Sequence, residues 1–576
     1  MTKNLLFVLF VFFGFVANAQ IPKQDVAADL NIFPKEKVAL SINSNVLLAG
    51  ELLQYEAFNL DVASRESKLS KVLYVSLRNQ SDSVVFTHKL KVEKGVANGD
   101  FFIPSALKTG TYRLIGYTNF SRNSVQDAYT QKNIYIINTF VKPVETKKIS
   151  DTVKVNFSEN EIKLSEKANN NEKGQITISK QSYGFREKVT LNIQNTLEKI
   201  GGNYVLSVRK VNPVVISDAE TKGLKDVSSE IFYVPELRGE LISGVVRSTI
   251  DGKPVVNKQV SLTIPGKDFV FKIAKTNDNG RFFFSVSEGY NTEKSLVQLY
   301  TSESDAANYS LVLDKKDFDL GKSDATVLKL DSNLKEWLLE RSVQLQIENA
   351  YFDAKKDSIL SNPMNPAFYD HLGTEFVLDD YTRFPSVKET FVEVITLAAI
   401  RGSGDDSKLV VNNKYDPNGM AKFNNLPPLV LLDGMLVQKD TDLINYNVRE
   451  IKSIRVIVQP YRYGSKIYSG IIAVVTKKGD FVPVLEKDYI EELNLAPVVK
   501  KKAYYRTDYS DKSSLSRIPD YRAQLLWEPK LRLSKEAYST SFYTSDVAGV
   551  FEISLEGYSD GGEFITAKKF FEVVED

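Results

Sequence analysis

Few residues in this 576-residue chain have types and spacing that could do chemistry. Gly557-Tyr-Ser559-Asp-Gly561 matches the G-x-S-x-G pattern that presents a nucleophilic serine on a sharp turn. A hydrolase of that kind needs a later histidine, and the only two, His88 and His371, both come earlier. Asp560-Gly561-Gly562 between two alternating runs reads instead as a hairpin turn. Asp317-Phe-Asp319-Leu-Gly321 hints at a calcium loop, but its Gly falls at the fifth position and Leu328 at the twelfth, so the ligand set fails. Two isolated histidines are too few for zinc. With no cysteine, disulfides, thiolate metal sites and cysteine nucleophiles are excluded. A carboxylate pair such as Asp379-Asp380 is the remaining route to an enzyme. Paired acids in a cleft would favour it, and acids dispersed on loops would count against it. The expectation is no enzyme, no cofactor and no metal.

The elements that position these residues are read from pattern. Residues 1–19 carry Lys3, an apolar core (LLFVLFVFFGFV) and Ala17-Asn18-Ala19, which together predict a signal peptide cleaved after Ala19. The missing cysteine argues against a lipoprotein anchor, and no later run is long enough for a spanning helix, so no transmembrane segment is expected in the mature chain. Net charge is +1, from 74 basic and 73 acidic residues, so nucleic acid is not a natural partner. The compact basic run Lys500-Lys501-Lys502 reads as a solvated linker. Tyr and Phe are plentiful, and short alternating runs separated by turn signals recur, the pattern of β-sandwiches.

The fold class expected is mainly β: tandem immunoglobulin/macroglobulin-like β-sandwiches with an embedded α+β plug-like domain. A linker (20–35) precedes a sandwich over 36–142 whose VLLAGELLQYEAF and Gly110-Thr-Tyr-Arg-Leu resemble a macroglobulin-type domain. After a linker (143–172), a second sandwich spans 173–237. Residues 238–325 (G-x-V, a turn with G-x-P, then T-x-x-x-G-x-F-x-F) are similar to the carboxypeptidase regulatory-like sandwich, a packing or presenting module. A helical connector (326–383) has Asp331-Ser332 as a cap and Leu334, Trp337, Leu338, Arg341 and Leu345 in one stripe, with Arg341 leaning outward. Ser386-Val-Lys-Glu389 is a capping box. Residues 483–518 read as a linker, and 519–576 as a separate C-terminal immunoglobulin-like segment. A macroglobulin-type trap would need a thioester cysteine, which is absent.

Residues 384–482 carry the most specific pattern: an apolar strand ending in Asp433-Gly434, then Ile451-Lys-Ser-Ile-Arg-Val456, a Tyr463-Gly464 turn, and Gly470-Ile-Ile-Ala-Val-Val-Thr-Lys-Lys-Gly479. This resembles the plug domain of TonB-dependent outer-membrane receptors. It departs from that family at Val458–Arg462, where an acidic, Ala-containing stretch is usual. Only 97 residues follow Gly479, whereas a barrel that holds a plug needs about 22 strands. The resemblance therefore implies a barrel-less plug in a non-enzymatic exported protein of the periplasm or outer membrane. It would dock on or gate an outer-membrane barrel protein or envelope complex. Candidate contacts are Asp433, Gly434, Tyr461, Arg462, Tyr463 and Gly464. The competing expectation is a periplasmic or surface module that binds glycan or peptide in a concave aromatic site.

Overall fold

The computed structural model describes residues 34–124, 129–141, 151–158, 175–194, 201–217, 232–266, 269–287, 289–290, 292–314, 326–360, 366–412, 423, 425–479, 481, 489–510, 517–534 and 536–575. The leader and the Asp317–Gly321 stretch lie outside them.

The fold is mainly β. In the first sandwich, a sheet of Glu36–Ile42, Leu52–Asp61 and Val96–Phe102 faces one ordered Val46–Leu48, Thr130–Ile137, Gly110–Tyr117, Val72–Arg78 and Val84–Lys91. Alternating apolar residues such as Leu53, Tyr55, Ala57, Leu73, Val75 and Leu77 fill the space between them. The ring of Tyr55 crosses over Gly99, where a Cβ would lie 2.3 Å from the Tyr55 hydroxyl.

The second sandwich corrects two expected boundaries. Gly202–Lys210 lies between Gln524–Leu533 and Gly549–Ser559, while Lys188–Gln194 pairs with Tyr538–Tyr543. The segments read as 173–237 and 519–576 are therefore one sandwich with one core, Tyr204, Leu206 and Val208 packing with Phe551, Ile553 and Leu555. The physical reason is that Gly202–Lys210 is buried along nearly its whole length and needs a partner on each edge. Among the described residues, the upstream segment supplies no strand that pairs with either edge.

The third sandwich opposes Arg281–Val286, Glu240–Ser248 and Tyr309–Leu313 to Val270–Lys275, Gln259–Ile264 and Lys294–Leu299. Phe282 and Phe284 point into its core and Phe283 out, as the alternation predicts. Its last strand, Ile490–Asn494, arrives from far downstream to pair with Lys294–Leu299. Between them sits an α+β unit. Its sheet runs Thr374–Val377, Ile451–Ile457, Ile471–Thr476, Leu429–Leu432 and Met435–Leu436, with helices Val387–Glu393 and Asp440–Ile444. The unit thus begins before residue 384, because Thr374–Val377 supplies its edge strand. Ser386 caps the first helix, its hydroxyl accepting from the Glu389 amide at 3.1 Å.

The chain is nested. It opens the second and third sandwiches, builds the α+β unit, then returns to close the third and finally the second. Two stretches read as linkers are structural. Asp151–Phe157 joins Val214–Ser217 and Thr326–Leu330 in a sheet. The return segment binds along the first sandwich, with Lys501 on Glu93 (2.6 Å) and Lys502 on Asp100 (2.7 Å), so two of the three lysines expected in solvent are paired.

Leu334, Trp337, Leu338 and Leu345 of the helix Lys335–Ala350 and its preceding turn pack with Val46, Leu48, Val153 and Val155. Arg341 does not lean outward. It falls on the same helical stripe, is buried, and pairs there with Glu51. No described helix is long and apolar enough to cross a membrane.

Candidate functional site

The six residues expected to meet a partner are placed mostly against the chain itself. Asp433 and Gly434 form a two-residue hairpin between Leu432 and Met435, both with left-handed backbones (φ 51° and 81°), as the Asp-Gly pair predicts. Asp433 is buried. Its carboxylate accepts from the Thr476 amide (2.7 Å), the Thr476 hydroxyl (2.6 Å) and the Phe481 amide (3.2 Å). A Cβ on Gly434 would lie 2.2 Å from the ring of Phe269, beside the third sandwich.

Tyr463 stacks on Phe271 with centroids 5.3 Å apart, and its hydroxyl donates to the Phe271 carbonyl. Tyr461 lies 5.8 Å from Phe368, and Gly464 abuts Ile273. Only Arg462 and Gly464 of the six are exposed. Asp433 and Gly434 are buried, and Tyr461 and Tyr463 are half-buried against the chain's own residues. The cause is strand alternation: Tyr461 and Tyr463 share a face, which covers the apolar strand Val270–Lys275, and Arg462 takes the other.

Asp379 and Asp380 sit on an exposed 3-10 turn, with Asp379 paired to Arg383, rather than in a cleft. Ser559 ends the strand before the turn at Asp560–Gly562, as the hairpin reading expects. His88 is half-buried, with Nδ1 2.6 Å from the Tyr55 hydroxyl and its pKa pushed down to about 4 by burial, while His371 is exposed. No group of three or more potential metal ligands occurs among the described residues.

A concave cleft with aromatic lining lies elsewhere, where the first sandwich, the second sandwich and the helix Lys335–Ala350 meet. A cleft of about 260 Å³ opens between Leu52, Gln54 and Phe102 of the first sandwich and Gln524–Trp527 of the second. Leu345, Phe352, Tyr504, Tyr505 and Tyr521 line its remaining sides. Phe102 and Phe352 are more than half exposed, at 51% and 57%, so two large apolar rings face solvent at the rim.

Charge at the floor is built rather than incidental. Glu51 accepts from Arg209 Nη2 at 3.3 Å and pairs closely with Arg341. Two buried guanidiniums therefore share one carboxylate. Burial pushes the Arg209 pKa down to about 10, Glu51 opposes the shift and Arg341 adds to it. Buried Nε atoms of Arg209 and Arg341 and the indole Nε1 of Trp527 have no hydrogen-bond partner.

The opposite end is satisfied. Lys355 bonds Glu348 at 2.9 Å, and Arg522 grips Asp520 through two 2.6 Å bonds. Burial acts to raise the Asp520 pKa, but Arg522 and then Lys355 outweigh it and hold it at about 2. The cleft residues carry no joint signal in the sequence, because they come from six separate stretches, around residues 43–54, 102, 209, 341–357, 504–505 and 521–527. One signal was present: an arginine on the apolar stripe of a helix.

No protein-family model matches the chain, and no curated protein does. Among solved structures, it is similar to trypsin-activated alpha-2-macroglobulin from Escherichia coli, at 8% identity over 94% of this chain and 41% of that one, with a TM-score of 0.23. The native conformation of Escherichia coli alpha-2-macroglobulin gives 9% identity, 94% and 40% coverage and the same TM-score. A beta-glucosidase from Listeria innocua in complex with isofagomine matches 18% of this chain and 16% of its own, at 14% identity and a TM-score of 0.13. The chain spans about two fifths of the length of the macroglobulins. Superpositions this loose carry no activity, substrate or partner over to it.

Proposed function

We propose that this protein is a non-enzymatic, exported binding module whose ligand site is the aromatic cleft between the first two sandwiches, and that the ligand is a peptide. The observation that carries the reading is the cleft's construction: solvent-facing Phe102 and Phe352 over a buried, charged floor with unpartnered donors. A peptide is favoured over a glycan because the rim rings are phenylalanines without a polar handle, and Trp527, at 5% exposure, offers no open face for a sugar.

Docking on an outer-membrane barrel through the plug-like region is less favoured, since Asp433 and Gly434 are buried and Tyr461 and Tyr463 are half-buried against the chain's own residues. Export rests on the Ala17-Asn18-Ala19 leader pattern.

The test is to probe the mature chain on peptide and glycan arrays, alongside Phe102→Ser and Phe352→Ser. Both substitutions sit at exposed positions, and an unchanged circular dichroism spectrum is the expected check on the fold. Peptide signals that fall at least tenfold in both variants are expected. Glycan signals, or peptide signals indifferent to both variants, would overturn the assignment.

A further inference from the structure

We infer that the cleft captures the C-terminal end of a polypeptide, with the free α-carboxylate on Arg209 and Arg341 and the last apolar side chains against Phe102, Leu52, Leu345 and Phe352. This rests on the peptide-binding reading above and names which part of the peptide is read.

At the Arg end of the cleft two guanidiniums meet a single carboxylate, Glu51, which also accepts from the Leu48 amide at 3.1 Å. One positive charge is left over in a place where a buried charge without a partner is costly. Arg209 is 9% exposed and Arg341 6%, both line the cleft, and each keeps an Nε–H with no acceptor. A planar anion with two oxygens is the group that forked guanidinium donors fit. At the other end, Glu348, Asp520, Lys355 and Arg522 already satisfy one another, so the site is polarised and its demand for charge lies at one end.

A cleft of about 260 Å³ is at the small end of ligand sites, which run ~300–1,000 Å³. That suits the terminus of a chain better than a strand passing through. Apolar walls beside the arginines suit an apolar residue next to the carboxylate, and the open rim lets the rest of the partner chain leave. Capture of a terminal carboxylate by backbone amides is an established mode of peptide recognition, and here the two guanidiniums would take the place of those amides.

The experiment uses the full mature chain and two pools of hexapeptides, tethered at the N-terminus and randomised over the last three positions. One pool ends in free acids, the other in amides. Binding confined to the acid pool, enriched in apolar last residues and reduced tenfold or more in Arg341→Gln, is the expected result. Equal binding of both pools would overturn the carboxylate inference while leaving the peptide reading intact. Binding of neither pool would overturn both. If Arg341→Gln does not fold, the acid-against-amide comparison on the unmodified protein still decides.

Discussion

At the scale of single residues, two buried carboxylates carry consequences. Asp433 accepts three hydrogen bonds at the turn of the α+β unit. Asp433→Ala orphans the Thr476 amide, at a cost of about 1–3 kcal/mol, and forces alanine into a left-handed backbone. Amide exchange across Ile471–Thr476 should accelerate while the first sandwich keeps its protection. Glu51 sits between Arg209 and Arg341, and Glu51→Gln leaves both guanidiniums buried without a counter-charge. A loss of about 3–5 kcal/mol is expected, visible as a lower urea midpoint. Glu51→Gln combined with Arg341→Met should recover part of that loss. Of these residues, the Asp-Gly turn was legible in the chain, because local chemistry dictates it. The Glu51 cluster was not, since Glu51, Arg209 and Arg341 are joined only by tertiary folding.

At the scale of elements, the seam between the first two sandwiches has its own titration. Glu56, on Leu52–Asp61, is fully buried, and both its oxygens accept from the amide of Lys530, at 3.1 and 3.0 Å. Burial pushes its pKa up to about 8 against the opposing bond and charge of Lys530. The folded protein keeps this proton from pH 4.5 to 8, where the unfolded chain has released it. Stability contributed by the protonated group is therefore lost as pH rises through that window. Glu56→Gln keeps an acceptor for Lys530 and cannot ionise. Its stability relative to the unmodified protein should rise between pH 5 and pH 8, as read from urea unfolding at each pH. Patterned strands such as Arg281–Val286 and the capped helix at Ser386 could be read locally. The strand Asp151–Phe157 could not, because a short stretch in a polar segment becomes a strand only when Val214–Ser217 and Thr326–Leu330 are brought beside it.

At the scale of the molecule, nesting decides which parts stand or fall together. The second sandwich is complete only when Gln524–Val573 returns to Gly202–Lys210. A chain ending at residue 517 should lose amide protection over 175–210, hundreds of residues upstream, while the third sandwich and α+β unit keep theirs. Retained protection there would mean the two segments are independent after all. The same nesting forms the cleft, since Leu52, Arg341, Tyr504 and Trp527 belong to four stretches that meet only in the closed fold. Sequence patterns located the sandwiches and the α+β unit, but not which distant segments share a body.

Whether ligand enters this cleft can be read directly through Trp527, one of only two tryptophans. In Trp337→Phe the remaining indole reports from the cleft wall alone. Titration with mixed hexapeptides, free acids and amides together, should give a saturable change in its emission that Phe102→Ser abolishes. Saturable peptide binding by calorimetry with no change at Trp527 would place the binding site outside this cleft.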